Sequence, residues 1–241
     1  MSDFDTSPRT YARLAGFLYL FIIIAGIFAQ FYVWDGLIAS GNAAATAEQL
    51  RAHAARWQSG IVAELLMHLC DIPVMVIIYL LLRPVSKPLV LMALLFNLVQ
   101  TAVLVADRLN LIAALLPLSQ AAYLRSLDLH QLYAQAYLSI RLHEIGFGVG
   151  LLFFGGTCVI NGYLIYRSGD LPKFLGELLI IAGICYGINT LTLLLTPGFH
   201  SVLFPFVLLP SFIAELSFCG WLLFKGGREN AGNDNCSAFQ K

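Results

Sequence analysis

Six long stretches of mostly apolar residues constrain this 241-residue chain more than any other feature of its sequence. An α-helix rises about 1.5 Å per residue, so about 20 apolar residues are needed to cross the ~30 Å hydrocarbon core of a bilayer. Only 12% of the chain is charged, whereas soluble proteins have about 25% charged residues. The sequence therefore predicts an all-α, polytopic membrane helix bundle with six transmembrane helices. Their predicted limits are 14–34, 59–82, 89–117, 136–166, 174–196 and 201–224.

The segments outside these spans set the predicted topology. Residues 1–13 form a polar N-terminal segment, residues 14–224 form the transmembrane domain, and residues 225–241 form a polar tail that we expect to be disordered. Basic residues collect on the cytoplasmic side of a membrane, so both termini are predicted to be cytoplasmic. That side has Arg9, Arg13, Arg83, Lys87, Arg167, Lys173, Lys225, Arg228 and Lys241, whereas the other side has Arg51, Arg56 and Arg125.

The second span carries three ionisable side chains that membrane helices normally exclude. Glu64, His68 and Asp71 are spaced i, i+4 and i+7, so they share one face of the predicted helix. A charged side chain at the bilayer centre costs at least ~2.5–3.5 kcal/mol. Pro73 follows and leaves the carbonyl of Leu69 without its usual amide donor, which predicts a kink. This polar stripe is therefore the first place to look for function.

Spans three to six carry further polar groups at depths that the helical rise places in the outer leaflet or near the midplane. Because lipid-facing charge is costly, we expect these groups to turn inward and meet those of the second span. The predicted result is an outward-opening polar cavity between spans two, three and four, with Glu215 at its floor. The other candidate groups are Gln100, Asp107 and Arg108 on span three, Arg141 and Glu144 on span four, and Asn189 on span five.

The charges of these candidates do not balance, because five carboxylates stand against two arginines, Arg108 and Arg141. The surplus has to be relieved by protonated acids, by charged histidines or by a bound cation, and each solution predicts a different function. The carboxylates are those of Glu64, Asp71, Asp107, Glu144 and Glu215.

One hypothesis is a metal-dependent intramembrane hydrolase. His68 with Glu64 or Asp71 would supply metal ligands from one helix, and Asp107 or Glu144 would complete the shell. A divalent metal such as zinc would then activate a water molecule for attack on a lipid or amide bond near the outer leaflet. On this hypothesis all five of these residues are catalytic candidates.

The other hypotheses use the same groups without a metal. A proton-coupled small-molecule transporter would use them as a relay, and a ligand-binding sensor would use them for recognition alone. The predicted substrate-binding residues are Gln100, Arg108, Arg141, Asn189 and Glu215. The structural alternative is a set of ion pairs that only hold the bundle together, namely Glu64–Arg108, Asp107–Arg141 or Arg141–Glu144.

The segment Ala43–Gln58 is rich in strong helix formers and mixed charge. It predicts a short helix at the membrane surface, with Leu50, Ala54 and Trp57 facing the lipid. Such a helix would be either a lid over a site below it or a solvated connector.

Two further polar residues of span four receive a structural interpretation. His143 lies on a different face from Arg141 and Glu144, and we interpret it as a packed or interfacial histidine. Asn161 lies near the predicted cytoplasmic end, where its side chain can reach the interface.

The composition also excludes one class of partner. The formal net charge is zero, and nucleic-acid binding needs a basic patch. The five cysteines form no CxxC pair, which favours buried, reduced thiols. The expected partners are the lipid bilayer and a small-molecule or lipid ligand, and the sequence does not indicate an oligomeric state.

Five segments carry a resemblance to a known family: Arg13–Leu20, Ile22–Gly26, Ala43–Leu50, Asp71–Leu82 with the Leu-Leu-Arg-Pro-Val turn, and Asn97–Gln100. They resemble bacterial membrane proteins of the domain of unknown function 4386 family, over nearly the whole chain. The resemblance implies a multi-spanning protein of the bacterial inner membrane. It implies no activity and no catalytic residue, so the site hypotheses depend on the burial argument alone.

Overall fold

The computed structural model describes residues 8–119, 121–169 and 171–224, and these residues form a bundle of helices. Six of the described helices are long and apolar enough to cross a membrane, which confirms the predicted number. The described ranges contain no β-strand. The helices are α1 Pro8–Ile27, α2 Asp35–Leu37, α3 Ala43–Ala52, α4 Ala54–Leu82, α5 Lys87–Ala113, α6 Leu129–Ser168, α7 Lys173–Leu195 and α8 Pro197–Phe224.

Most of the long helices begin before the predicted spans, because the sequence limits count apolar residues and a helix can continue into the polar region. In α6 the earlier start has a local cause. Asp128 Oδ2 accepts a hydrogen bond from the backbone of His130, and Gln131 Oε1 accepts one from the backbone of Asp128, which forms a capping box. The helix ends at Gly169, whose φ of 71° is a left-handed conformation that favours glycine.

The first span changes helix type near its end. A π-helix, Phe28–Trp34, follows α1 and leads into α2. A π-helical segment has more residues per turn than an α-helix and is frequent at functional sites. Trp34 is buried here, whereas Tyr32 remains exposed. The segment therefore directs the Trp34 indole into the bundle.

Close backbone contact joins α6 to α7. A Cβ added to Gly155 would lie 2.8 Å from the carbonyl oxygen of Gly183, and one added to Gly162 would lie 2.6 Å from that of Gly176. Small residues allow such approach between helices in lipid. Large apolar side chains cover much of the bundle's exterior, as a membrane protein requires.

The predicted surface helix Ala43–Gln58 is two elements, because the chain breaks at His53 between α3 and α4. Leu50 and Trp57 are 0% exposed within the protein, so the prediction that they face the lipid was wrong. Trp57 is held inside by a 2.9 Å hydrogen bond from its indole nitrogen to the carbonyl of Leu111.

Residues 1–7 and 225–241 lie outside the described residues, and so does the predicted disorder of the C-terminal tail.

Candidate functional site

Four ionisable side chains from α4, α5 and α6 meet inside the bundle, and we call Glu64, Asp107, Arg108 and His143 the ion network. Arg108 pairs with Glu64 through Nη1 and Oε2. Its Nη2 lies 3.7 Å from Asp107 Oδ2, and His143 Nδ1 lies 2.6 Å from the same oxygen. All four residues are buried. The network therefore links three helices through charged groups that are shielded from lipid.

Neighbouring groups complete the hydrogen bonding of the network carboxylates. Trp34 Nε1 donates to Glu64 Oε1 over 3.3 Å. Asn110 Nδ2 donates to Asp107 Oδ1 over 2.9 Å. Gly146 on α6 leaves room for Asp107, because a Cβ at that position would overlap its carboxylate. Two carboxylates, one guanidinium and one imidazole therefore share this site.

The structure places Arg141 and Glu144 away from the network. They pair with each other one turn apart on α6, and their side chains are 49% and 37% exposed. Successive residues of an α-helix are separated by about 100° around its axis. His143 therefore points inward, while Arg141 and Glu144 point outward. The position beside Asp107, where we expected Arg141 and Glu144, is occupied by His143.

A cavity of about 210 Å³ lies between the ion network and the end of the bundle where α4 ends at Leu82 and α5 begins at Lys87. Its wall comes from α1, α4, α5, α6, α7 and α8, and within the described ranges no lysine or arginine lines it. Its position differs from the expected outward-opening cavity, because the outer polar groups pair and pack together. The lining polar residues include His68, Asp71, Asn97, Gln100, Thr157, Asn161, Tyr186 and Glu215.

Asp71 is anchored in the cavity wall by two donors from α5. Thr101 Oγ1 donates to Asp71 Oδ2 over 2.6 Å, and Asn97 Nδ2 donates to the same oxygen over 3.1 Å. The amide nitrogen of Asn97 is therefore occupied by Asp71. Its Oδ1 can only accept a hydrogen bond, and it is the atom of this amide that remains unpartnered among the described residues.

Three buried polar atoms of cavity residues have no hydrogen-bond partner among the described residues. They are His68 Nε2, Asn97 Oδ1 and Asn161 Oδ1. The three residues are only 3%, 4% and 9% exposed. Most buried polar groups in proteins are bonded, and each unmet one costs about 1–3 kcal/mol. Three such atoms around one cavity indicate a place for a polar ligand or for water.

The remaining substrate-binding candidates are divided between several places. Gln100 and Glu215 line the cavity, and Tyr186 donates its hydroxyl to Glu215 Oε1. Arg108 belongs to the ion network. Asn189 is buried on α7 and is not one of the cavity-lining residues.

Asn97 and Asn161 were not among the site candidates, although the sequence contains a signal for Asn161. Thr157 and Asn161 are spaced i, i+4 in an apolar stretch, which places them on one face of α6. The interpretation of Asn161 as an interfacial residue relied on its distance from the span's end. A comparison of helix faces would have grouped it with Thr157.

The zinc hypothesis draws no support from this arrangement. Within the described residues, no three histidine, cysteine, aspartate or glutamate side chains are grouped closely enough to hold a metal ion. Glu64 pairs with Arg108, and Asp71 accepts from Asn97 and Thr101, so the two carboxylates nearest His68 on the stripe already have partners.

Six apolar helices around a buried polar interior define a polytopic membrane protein. The family described as "Domain of unknown function (DUF4386)" matches residues 14–226, and the chain belongs to this family. It is also 32% identical over 166 residues to an uncharacterised protein of Archaeoglobus fulgidus, an alignment that covers 69% of this chain and 83% of the relative. No solved structure matches the chain.

Proposed function

We propose that this chain is a multi-pass membrane carrier that binds a small molecule in its central cavity. The observation that carries the proposal is the group of three unpartnered polar atoms, on His68, Asn97 and Asn161. A purely structural interior would have no reason to leave polar atoms from α4, α5 and α6 unbonded around one space. A bound molecule would supply the missing hydrogen bonds.

The position of the cavity favours a carrier over a surface receptor. It is walled by all six long helices, and transporters typically bind their substrates near the bilayer midplane, between helices that change position. Pro73 lies inside α4 beside the cavity residue Asp71, and a proline inside a helix removes one backbone hydrogen bond. That missing bond would make α4 easier to bend next to the binding site.

The proposed location is the inner membrane of a bacterium, with both termini in the cytoplasm. The bacterial assignment follows from the resemblance, although the archaeal relative extends such sequences beyond bacteria. The orientation is supported by the basic residues Arg83, Lys87, Arg167 and Lys173, at the helix ends nearest the cavity. In this orientation the ion network would close the outer side of the bundle.

A native cysteine provides the test. Cys158 lines the cavity and is buried, whereas Cys219 is equally buried but packs against Gly16 and does not line the cavity. Chains that keep only one of these cysteines would be treated with small charged methanethiosulfonate reagents in right-side-out and inside-out vesicles.

A carrier predicts that Cys158 reacts from both sides, because the cavity opens alternately, while Cys219 stays unreactive. Reaction of Cys158 from one side only would favour a ligand-binding sensor and contradict the carrier. Lack of reaction from both sides would contradict any binding function for the cavity.

A further inference from the structure

The lining of the cavity has a chemical bias that restricts its ligand. Two carboxylates, Asp71 from α4 and Glu215 from α8, belong to the wall, whereas no lysine or arginine of the described residues does. The nearby cation of the ion network, Arg108, is paired with Glu64 and is not a lining residue. An anionic ligand would therefore meet acidic groups with no opposing charge, which is unfavourable in a low-dielectric interior.

The unpartnered atoms point to the same kind of ligand. Asn97 donates its amide nitrogen to Asp71, which leaves Oδ1, an atom that can only accept a hydrogen bond. Asn97 lines the cavity and is only 4% exposed, so a donor on a bound molecule would supply the missing hydrogen bond. An ammonium group has up to three donors and no acceptor, and it would satisfy both the amide oxygen and a neighbouring carboxylate.

The rest of the wall is aromatic and aliphatic. Tyr19, Phe147, Phe154, Tyr186 and Phe218 line the cavity, and the rings of Phe154 and Tyr186 lie 5.4 Å apart. Aromatic faces attract cations and also exclude water, so they favour a positive group attached to an apolar body.

The size of the cavity limits that body. A cavity of about 150 Å³ holds a benzene molecule, and this one measures about 210 Å³. It would therefore hold a ligand of roughly 6–10 non-hydrogen atoms without rearrangement. An intact phospholipid is far too large for this space.

We propose that the cavity binds a small organic cation, an ammonium group on an aromatic or alicyclic body, with Asp71 and the Asn97 amide oxygen as its polar contacts. This inference rests on the proposed binding function and specifies the class of its substrate.

Three probes of nearly equal size and different charge test the inference: benzylammonium, benzyl alcohol and benzoate. Each would be added at neutral pH to the full chain purified in detergent, and the midpoint of thermal unfolding would be measured. A ligand that binds the folded state raises this midpoint, and at equal probe concentrations the rise grows with the logarithm of the affinity. We expect benzylammonium to bind at least about tenfold more tightly than the other two probes.

Matched variants locate the effect. Asp71→Asn keeps the size of the side chain and should abolish the shift caused by benzylammonium, whereas Glu144→Gln, on the exterior of α6, should retain it. The unfolding midpoint of each variant without a probe shows whether the fold itself has changed. Asn97→Leu removes the second proposed contact and should also weaken the shift, so the inference stays testable even where Asp71→Asn fails to fold.

Equal or tighter binding of benzyl alcohol or benzoate would overturn the inference, and so would the absence of any shift with benzylammonium. The labelling of Cys158 tests the proposed carrier function independently of these probes. If Cys158 reacts from both sides but benzylammonium is not preferred, the carrier function stands and the inferred class of ligand is wrong.

Discussion

The ion network and the cavity are both polar regions inside the same bundle, but they differ in how their groups are satisfied. In the network, Glu64 has Arg108 and Trp34 as partners, and Asp107 has His143 and Asn110. Among the described residues, Arg108 Nη2 is the one fully buried network atom without a hydrogen bond, and it still lies 3.7 Å from Asp107 Oδ2. The cavity, by contrast, has three buried polar atoms with no partner in the part of the chain that the structure describes. The paired charges of the network are expected to hold the helices together, whereas the unmet hydrogen bonds of the cavity support the proposed binding function.

The polar stripe of the second span contributes to both regions. Glu64 belongs to the network, while His68 and Asp71, one and two turns further along α4, line the cavity. One stripe in the sequence therefore contributes both to the paired network and to the cavity. If the network stabilises the fold and the cavity does not, substitutions in the network should lower the free energy of unfolding far more than substitutions in the cavity.

The largest expected effect comes from Arg108→Met, which leaves Glu64 and Asp107 buried without their cation. Removing one partner of a buried ion pair typically costs about 3–5 kcal/mol. The measurement is the unfolding midpoint in detergent mixtures with a rising fraction of sodium dodecyl sulfate. Arg141→Met removes the same group from the exposed pair with Glu144 and should cost only about 0–1 kcal/mol. Equal costs for the two variants would contradict the role of the network in holding the bundle.

A double-mutant cycle should show that the cost belongs to the pair. Glu64→Gln removes the charge that Arg108 neutralises, so Glu64→Gln combined with Arg108→Met should cost less than the sum of the single substitutions. We expect a coupling energy of about 2 kcal/mol, within the range seen for residues in contact. Additive costs, measured by the same unfolding assay, would show that the two groups do not stabilise the fold as a pair.

Trp34→Phe should have a smaller effect, because it removes the 3.3 Å hydrogen bond to Glu64 and part of the indole's packing against Trp57, but no charge. A loss of about 1 kcal/mol is typical of one hydrogen bond. Its cost should also be non-additive with that of Arg108→Met, since both changes act on the same carboxylate. Trp57→Phe is the control, because the Trp57 indole donates to the carbonyl of Leu111 and not to a network carboxylate. Its cost in free energy of unfolding should therefore add to that of Arg108→Met.

The smallest effect on stability is expected in the cavity. Asn161→Leu removes an amide whose oxygen has no partner among the described residues, so the variant should be as stable as the parent or up to about 1 kcal/mol more stable. Asn189→Leu is a matched control, because Asn189 is also buried but has a partner, and we expect a clear loss of stability. A similar loss in Asn161→Leu would make the cavity a structural region like the network.

The sequence was sufficient to predict the class of fold, because the six spans follow from apolar length. It offered three ion pairs as a structural alternative, and two of them, Glu64–Arg108 and Arg141–Glu144, are present. The partner of Asp107 did not follow in the same way. Arg141 and His143 are two residues apart, and only the rotation of α6 about its axis decides which of them reaches Asp107. That rotation is set by packing against α5 and α7, which a single sequence does not specify.

The π-helix was also beyond prediction, because the apolar residues of Phe28–Trp34 are equally typical of an α-helical span. Without it, the periodicity of Phe28–Trp34 gives no reason to place the Trp34 indole on Glu64. The unpartnered atoms of the cavity are equally a property of the assembled helices, since each of the asparagines could have found a partner in another packing.

The glycine contacts between α6 and α7 have a consequence for motion. Where two backbones touch, no side chains lie between them that could repack during a displacement, so these two helices should move as one unit. On the proposed carrier function, access to the cavity would then come from movement of α1, α4 and α8 against this unit and α5, which packs on α6 at Gly146 and Gly150. A covalent crosslink between α6 and α7 should leave the proposed transport intact, whereas a crosslink between α4 and α5 should stop it.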